Sequence, residues 1–210
     1  MSEHFTLTEL RERGWSPMMI RKLLDPPDVL RPNPVFRSAA PMTLYETERV
    51  MLAEATESFT ALRTAASHRS EAAKAVAERK RGETLTEVEK VRVAVPVLEW
   101  DVLARRAVNH RNRRDAERAW DRFDHVPEPA RVESVDAPTL RRWVVNYLRH
   151  ELTAYDAELD GLFGKVGRTE GSLLLQQRVY GAIAEAYPML AEECRRQLHE
   201  RRPDTGDSHV

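Results

Sequence analysis

Apolar positions recur at helical spacing over most of the chain, and prolines divide the pattern into separate stretches. In the first stretch Thr6 or Thr8 can cap a short helix, because a hydroxyl oxygen accepts the free amide protons of a first turn. Gly14 ends that helix in the manner of a left-handed residue after the C-cap. Ser16-Pro17 opens a second helix, with serine at the cap and proline at the first helical position. It carries Met18, Met19, Ile20, Leu23 and Leu24 to Asp25, where Pro26-Pro27 stops it. Proline and asparagine exclude helix from Asp28 to Pro41, and Pro41-Met-Thr-Leu-Tyr45 alternates like a short strand. A third helix is expected near Glu46, carrying Val50, Met51 and Leu52.

Further along, Val91, Val93, Val95 and Val97 alternate with Arg92, Ala94 and Pro96, and the proline confines this stretch to an edge strand or an irregular extended segment. A helix follows from Leu98 to Phe123. Leu140, Trp143, Val144, Tyr147, Leu148 and Leu152 make one apolar stripe of the next helix. Leu173, Leu174, Val179, Ile183, Tyr187 and Leu190 supply the returning faces, with Pro188 marking a kink or break. Two such helices bury little on their own, so they should pack on the 98–123 helix or on a second copy of the chain.

The run Phe5-Thr-Leu-Thr-Glu-Leu10, the segment Ser16-Pro-Met-Met-Ile-Arg21, and Leu44-Tyr45 followed by Arg49-Val50 together resemble the winged helix of the MerR and excisionase type. In that family a Thr-x-x-Glu-Leu helix leads to a Ser-Pro-x-x-Ile-Arg recognition helix and then to a wing. Asn33-Pro34 to Met42-Thr-Leu-Tyr45 also resembles the DNA-binding part of the xeroderma pigmentosum A repair protein. The resemblance covers residues 5–50 and departs from MerR in a longer, proline-rich wing and in the lack of an evident long dimerisation helix. It implies duplex DNA as partner, with Ser16, Arg21, Lys22, Arg31, Asn33, Arg37 and Tyr45 as nucleic-acid-binding residues. Charge agrees: residues 11–37 hold Arg11, Arg13, Arg21, Lys22, Arg31 and Arg37 against Glu12, Asp25 and Asp28. Cations on the second helix and on the wing suit phosphates on both sides of a groove.

The expected fold class is therefore mainly α: a small winged helix-turn-helix head followed by a helical middle and a C-terminal helical unit. The expected divisions are the head at 1–55, a charged helical region at 56–124, a linker at 125–138, the C-terminal unit at 139–202, and a disordered polar tail at 203–210. The linker reading rests on Pro127, Pro129 and Pro138.

The formal net charge is only -1, so nucleic-acid affinity must come from local clustering. Of the 33 basic residues, five are lysines and the other 28 are arginines. Codon bias in a GC-rich genome gives such a ratio, and so does phosphate recognition by planar guanidinium forks. A lone cysteine, Cys194, excludes an internal disulfide and leaves no thiolate metal set. The first ten residues do not read as a signal peptide, and no apolar run is long enough for a membrane span. The expected location is the bacterial cytoplasm, with no membrane contact and no cofactor.

Three other clusters carry candidate chemistry. Arg111, Arg114, Arg118 and Arg122 fall at helical spacing, with Arg105, Arg106 and Arg113 nearby. Interleaved Asp115, Glu117 and Asp121 favour a solvated, ion-paired face over a second binding site. Gly161-Leu-Phe-Gly-Lys-Val-Gly167 fails the phosphate-loop spacing, and its Gly-x-x-Gly lacks the strands of a KH domain. A helix–helix turn capped by Thr169 or Ser172 is the expected structure. Glu151, Asp156 and Asp160 would support catalysis only by converging with His110 or His150 in a pocket. The favoured function is non-catalytic DNA binding of a regulatory or nucleoprotein-assembling kind. The alternative is an adaptor or structural protein whose head docks a protein partner. In either case the C-terminal helices are available for self-association or a protein contact.

Overall fold

The computed structural model describes residues 3–32, 40–121 and 125–200. The protein is mainly helical, with one small antiparallel sheet, and it divides into compact units at residues 1–77 and 78–210.

The first unit opens with strand β1 (His4–Thr6), then helices α1 (Leu7–Glu12) and α2 (Pro17–Leu23). Strands β2 (Val29–Arg31) and β3 (Met42–Glu46) follow, and α3 (Thr47–Glu54) leads into α4 (Glu57–Lys90), whose part up to Ala77 belongs to this unit. Thr6 starts α1 through a capping box: its hydroxyl accepts from the Glu9 amide at 3.3 Å, and Glu9 accepts from the Thr6 amide at 2.7 Å. At the other end the Trp15 amide donates to the Leu10 carbonyl and the Gly14 amide to the Arg11 carbonyl. This Schellman closure needs a left-handed residue, and Gly14 has φ +94°. Ser16 caps α2 by accepting from the Met19 amide. The sheet order is β1-β3-β2, with Phe5 opposite Tyr45 and Val29 opposite Leu44. Leu10, Trp15, Met19, Ile20, Leu24, Tyr45, Val50 and Phe59 form the core.

In the second unit, α5 (Trp100–Asp121), α6 (Ala137–Glu151), α7 (Tyr155–Asp160), α8 (Arg168–Ala186) and α9 (Ala191–Glu200) share one core with Val88 from the end of α4. The 34-residue α4 is a long helix that the sequence did not make evident. The stripe on α6 is narrower than its apolar letters suggest: Leu140, Val144, Val145 and Leu148 are buried, whereas Trp143 and Tyr147 are half-buried. The valine alternation is an irregular extended segment, with Val91, Val93 and Val95 against the core. The Tyr187 hydroxyl holds it by donating to the Pro96 carbonyl and accepting from the Leu98 amide.

Residues 125–138, expected as a linker, are tied to α5 in their described structure. The Asn112 amide group exchanges two 2.9 Å hydrogen bonds with the backbone of Ala130, imitating a strand partner. Asp115 accepts from the Glu128 amide at 2.9 Å, and Ala130, Val132 and Val135 pack on the core. Gly164-Lys-Val-Gly167 is a turn into α8, but neither Thr169 nor Ser172 caps that helix. The N-cap is Gly167 itself, at φ +84°, where a Cβ would meet the Arg81 Cγ at 2.9 Å. The close approach and the left-handed backbone both demand glycine.

Candidate nucleic-acid interface

On the head, Arg21 and Lys22 lie exposed in the last turn of α2, and Arg31 lies exposed on the edge strand β2. None of these three has an ion-pair partner among the described residues. Neighbouring arginines have structural tasks. Arg13 forms a two-pronged pair with Glu54 and lies over the Phe5 ring, 4.9 Å from its centroid. Arg49 donates to Asp28 at 2.8 Å and to the Pro26 carbonyl at 2.9 Å. Burial opposes ionisation of Asp28, yet the Glu46 amide and Arg49 hold its carboxyl below the usual range. The base of the β2–β3 hairpin is thus fixed by charge.

One expected site residue is placed differently from the sequence reading, and two fall outside the described residues. Tyr45 is 5% exposed and belongs to the head core, so it is not a surface contact. The reason is its register: on central strand β3 it sits opposite Phe5, on the face that the helices cover. The Ser16 hydroxyl is engaged as acceptor in the α2 cap, which leaves its O–H as donor. Asn33 and Arg37 lie outside the described residues, as does Arg122 of the arginine stripe.

The rest of that stripe keeps one expected in-helix pair, Arg111 with Asp115, and departs from an ion-paired face at Arg114 and Arg118. Asp115 is 7% exposed and turns toward His125, whose Nε2 is 2.9 Å away, and toward the Glu128 amide. The Glu128 amide and His125 hold its carboxyl below the usual range. Its contact with Arg111 is 3.4 Å. Arg114 and Arg118 have no ion pair among the described residues, and they face Arg142 and Arg149 of α6 across a cleft. Arg142 had no periodic signal, because its partners come from another helix.

The acidic residues near the two histidines pair off separately. His110 Nε2 is 3.5 Å from Glu151, which also meets Arg113 at 3.4 Å. His150 Nδ1 is 2.8 Å from Asp156, while Asp160 joins neither pair. Among the described residues, no three His, Cys, Asp or Glu side chains converge on a metal position. No described helix is long and apolar enough to cross a membrane. Comparison of the chain with protein-family models, with curated proteins and with solved structures finds no match to any of them.

Proposed function

We propose that the chain is a non-catalytic DNA-binding protein, regulatory or nucleoprotein-assembling, whose head acts as a winged helix-turn-helix. In this reading α2 approaches a groove and the β2–β3 hairpin holds backbone phosphate. The observation that carries it is the contrast among the head's cations: Arg13 and Arg49 are consumed in ion pairs, whereas Arg21, Lys22 and Arg31 stay exposed without one among the described residues. An unpaired surface cation releases DNA counterions at no cost in broken protein contacts. The helix–glycine turn–helix of α1 and α2, followed by a hairpin, supplies the matching frame.

The test is anisotropy of a labelled DNA duplex with the full chain between about 50 and 200 mM salt. Affinity should fall linearly on logarithmic axes. The triple variant Arg21→Gln, Lys22→Gln, Arg31→Gln should lower the slope by about three, near one per lost phosphate contact. Binding without salt dependence rejects the reading. Protein docking is favoured instead by Leu30, 63% exposed on β2, and by Met51 and Leu52, 56% and 66% exposed on α3. That role predicts a complex which survives nuclease treatment and is lost in Leu30→Glu.

A further inference from the structure

We infer that the cleft between α5 and α6 binds a small molecule carrying two or more clustered phosphate groups, at a site separate from the head. The cleft has a volume of about 470 Å³ and lies wholly within the second unit. That is the size range of small-ligand sites, and a nucleotide-sized polyphosphate fits it. Helical spacing builds it: Arg111, Arg114 and Arg118 project from α5, and Arg142 and Arg149 from α6. Five guanidinium groups thus line a space whose single lining carboxylate is Asp115. Asp115 offsets at most one of them: it pairs with Arg111 at 3.4 Å while also engaging His125 and the Glu128 amide, and the other four keep their charge in the cleft.

The arginines differ in freedom, and that difference resembles a binding site more than a solvated face. Arg149 is 2% exposed, donates to the Tyr180 hydroxyl and to His150, and lies over the rings of Tyr155 and Tyr180 at 5.3 and 5.6 Å. It is a fixed charge whose ordering cost is met when the protein folds. Arg114, Arg118 and Arg142 are exposed and have no ion-pair partner among the described residues. Three exposed forks beside one fixed charge suit several phosphate oxygens, because each fork donates in a plane that matches phosphate geometry. Polyphosphate also explains the charge count better than a lone carboxylate, which one guanidinium satisfies.

Two further observations narrow the ligand. Asn146, in the same wall, has an Oδ1 without a hydrogen-bond partner among the described residues, and a turn of its amide group toward the cleft would let it accept an O–H or N–H from a sugar or a base. Trp143 also lines the cleft, but Arg111 lies over its ring at 5.1 Å, so that face is no open platform for the bases of a single strand. A compact ligand held by its phosphates is favoured over a threaded nucleic acid.

The experiment is calorimetric titration of the full chain, at about 150 mM salt, with inorganic phosphate, pyrophosphate and a nucleoside triphosphate. One-to-one binding of pyrophosphate and the triphosphate is expected, each at least tenfold tighter than inorganic phosphate. The pair Arg114→Gln, Arg142→Gln should weaken it at least tenfold while circular dichroism stays unchanged, since both side chains are exposed. Arg21→Gln, Lys22→Gln in the head should leave it unaltered. A triphosphate that binds more tightly than pyrophosphate, with the difference removed by Asn146→Ala, places the sugar or base on Asn146. Equal binding of the two assigns recognition to the phosphates alone. The inference is overturned if no compound binds at millimolar concentration, or if affinity is unaffected by the cleft pair or is lost in the head pair.

Discussion

The indole N–H of Trp15 donates to the Glu54 carboxylate at 2.9 Å, joining the turn after α1 to the end of α3. The same carboxylate takes both prongs of Arg13, and that pairing holds its pKa below the usual range. Trp15 is 2% exposed and packs on Phe59 with ring centroids 4.6 Å apart and planes tilted by 50°. Removing the acceptor leaves a buried N–H unsatisfied. Glu54→Ala should therefore destabilise the head by roughly 1–3 kcal/mol, and Glu54→Gln by less, because an amide oxygen still accepts. Hydrogen exchange of the α1 and α2 amides measures this directly, and unchanged protection in Glu54→Ala would sink the assignment.

A second prediction separates buried from apolar on α6. Leu148 is fully buried and Trp143 only half-buried, although both belong to the same sequence stripe. Leu148→Ala should cost about 2–5 kcal/mol, the range for a cavity in a packed core. Trp143→Ala should cost less despite its larger side chain, since water already reaches it. Urea unfolding of the two variants gives the comparison, and a larger loss for Trp143→Ala contradicts the burial argument.

The mainly helical class and the starts of α1 and α2 were legible because capping residues act locally. Thr6, Ser16 and Gly14 declare themselves within a few positions. Strand β1 was not legible, since three residues are too few for alternation to register. Tyr45 was misplaced because an aromatic beside a basic wing reads as a contact until the strand register is known. The length of α4 was hidden by its composition: a mostly exposed helix has no apolar stripe to count. Pro127 and Pro129 signalled non-helix correctly, whereas Pro138 lies in the first turn of α6, and the side chains that bind the segment, Asn112 and Asp115, lie on another element. The cleft was half visible, as the α5 stripe alone. Its other wall comes from α6, and only tertiary packing sets Arg142 and Arg149 opposite it.

Stability should also depend on pH through two histidines. Burial lowers the pKa of both His110 and His150 below the ordinary 6.5. Glu151 and Asp156 partly oppose that effect, while Arg113 and Arg114 near His110, and Arg149 and Arg114 near His150, reinforce it. The folded chain therefore keeps both rings neutral where the unfolded chain protonates them. Below 6.5 the unfolded state binds more protons, so stability is complete above that pH and is lost as pH falls through the folded values. The lowered carboxylates Asp28, Glu54 and Asp115 start from ordinary values of 3.8 to 4.5 and act in a more acidic window. Urea midpoints should decline between about pH 7 and 5.5, and His110→Gln combined with His150→Gln should flatten the decline. A midpoint independent of pH across that interval rejects neutral histidines in the fold.

Cys194 supplies a reporter for the opening of α9. It is 2% exposed, and burial pushes its thiol up to about 12, with Glu193 adding to the effect. At pH 8 only about one native molecule in ten thousand would hold the thiolate, and the thiolate is the species that attacks a disulfide reagent. Reaction in the native state should thus proceed through opening of the helix, at least about a hundredfold slower than in denaturant. What restrains the opening is a polar chain beside the cysteine: the Tyr180 hydroxyl donates to Gln197 at 2.9 Å, and Gln197 donates to Glu193 at 2.7 Å. Gln197 is 4% exposed, and Gln197→Ala removes the acceptor of the Tyr180 O–H and one of the donors to Glu193, which keeps Arg196, so it should loosen α9 and raise the native labelling rate. Each tenfold rise corresponds to about 1.4 kcal/mol less opening free energy, provided reclosing outpaces labelling. The check is labelling of the full chain with an aromatic disulfide at several reagent concentrations. A native rate equal to the denatured rate would place Cys194 at the surface and remove α9 from the shared core.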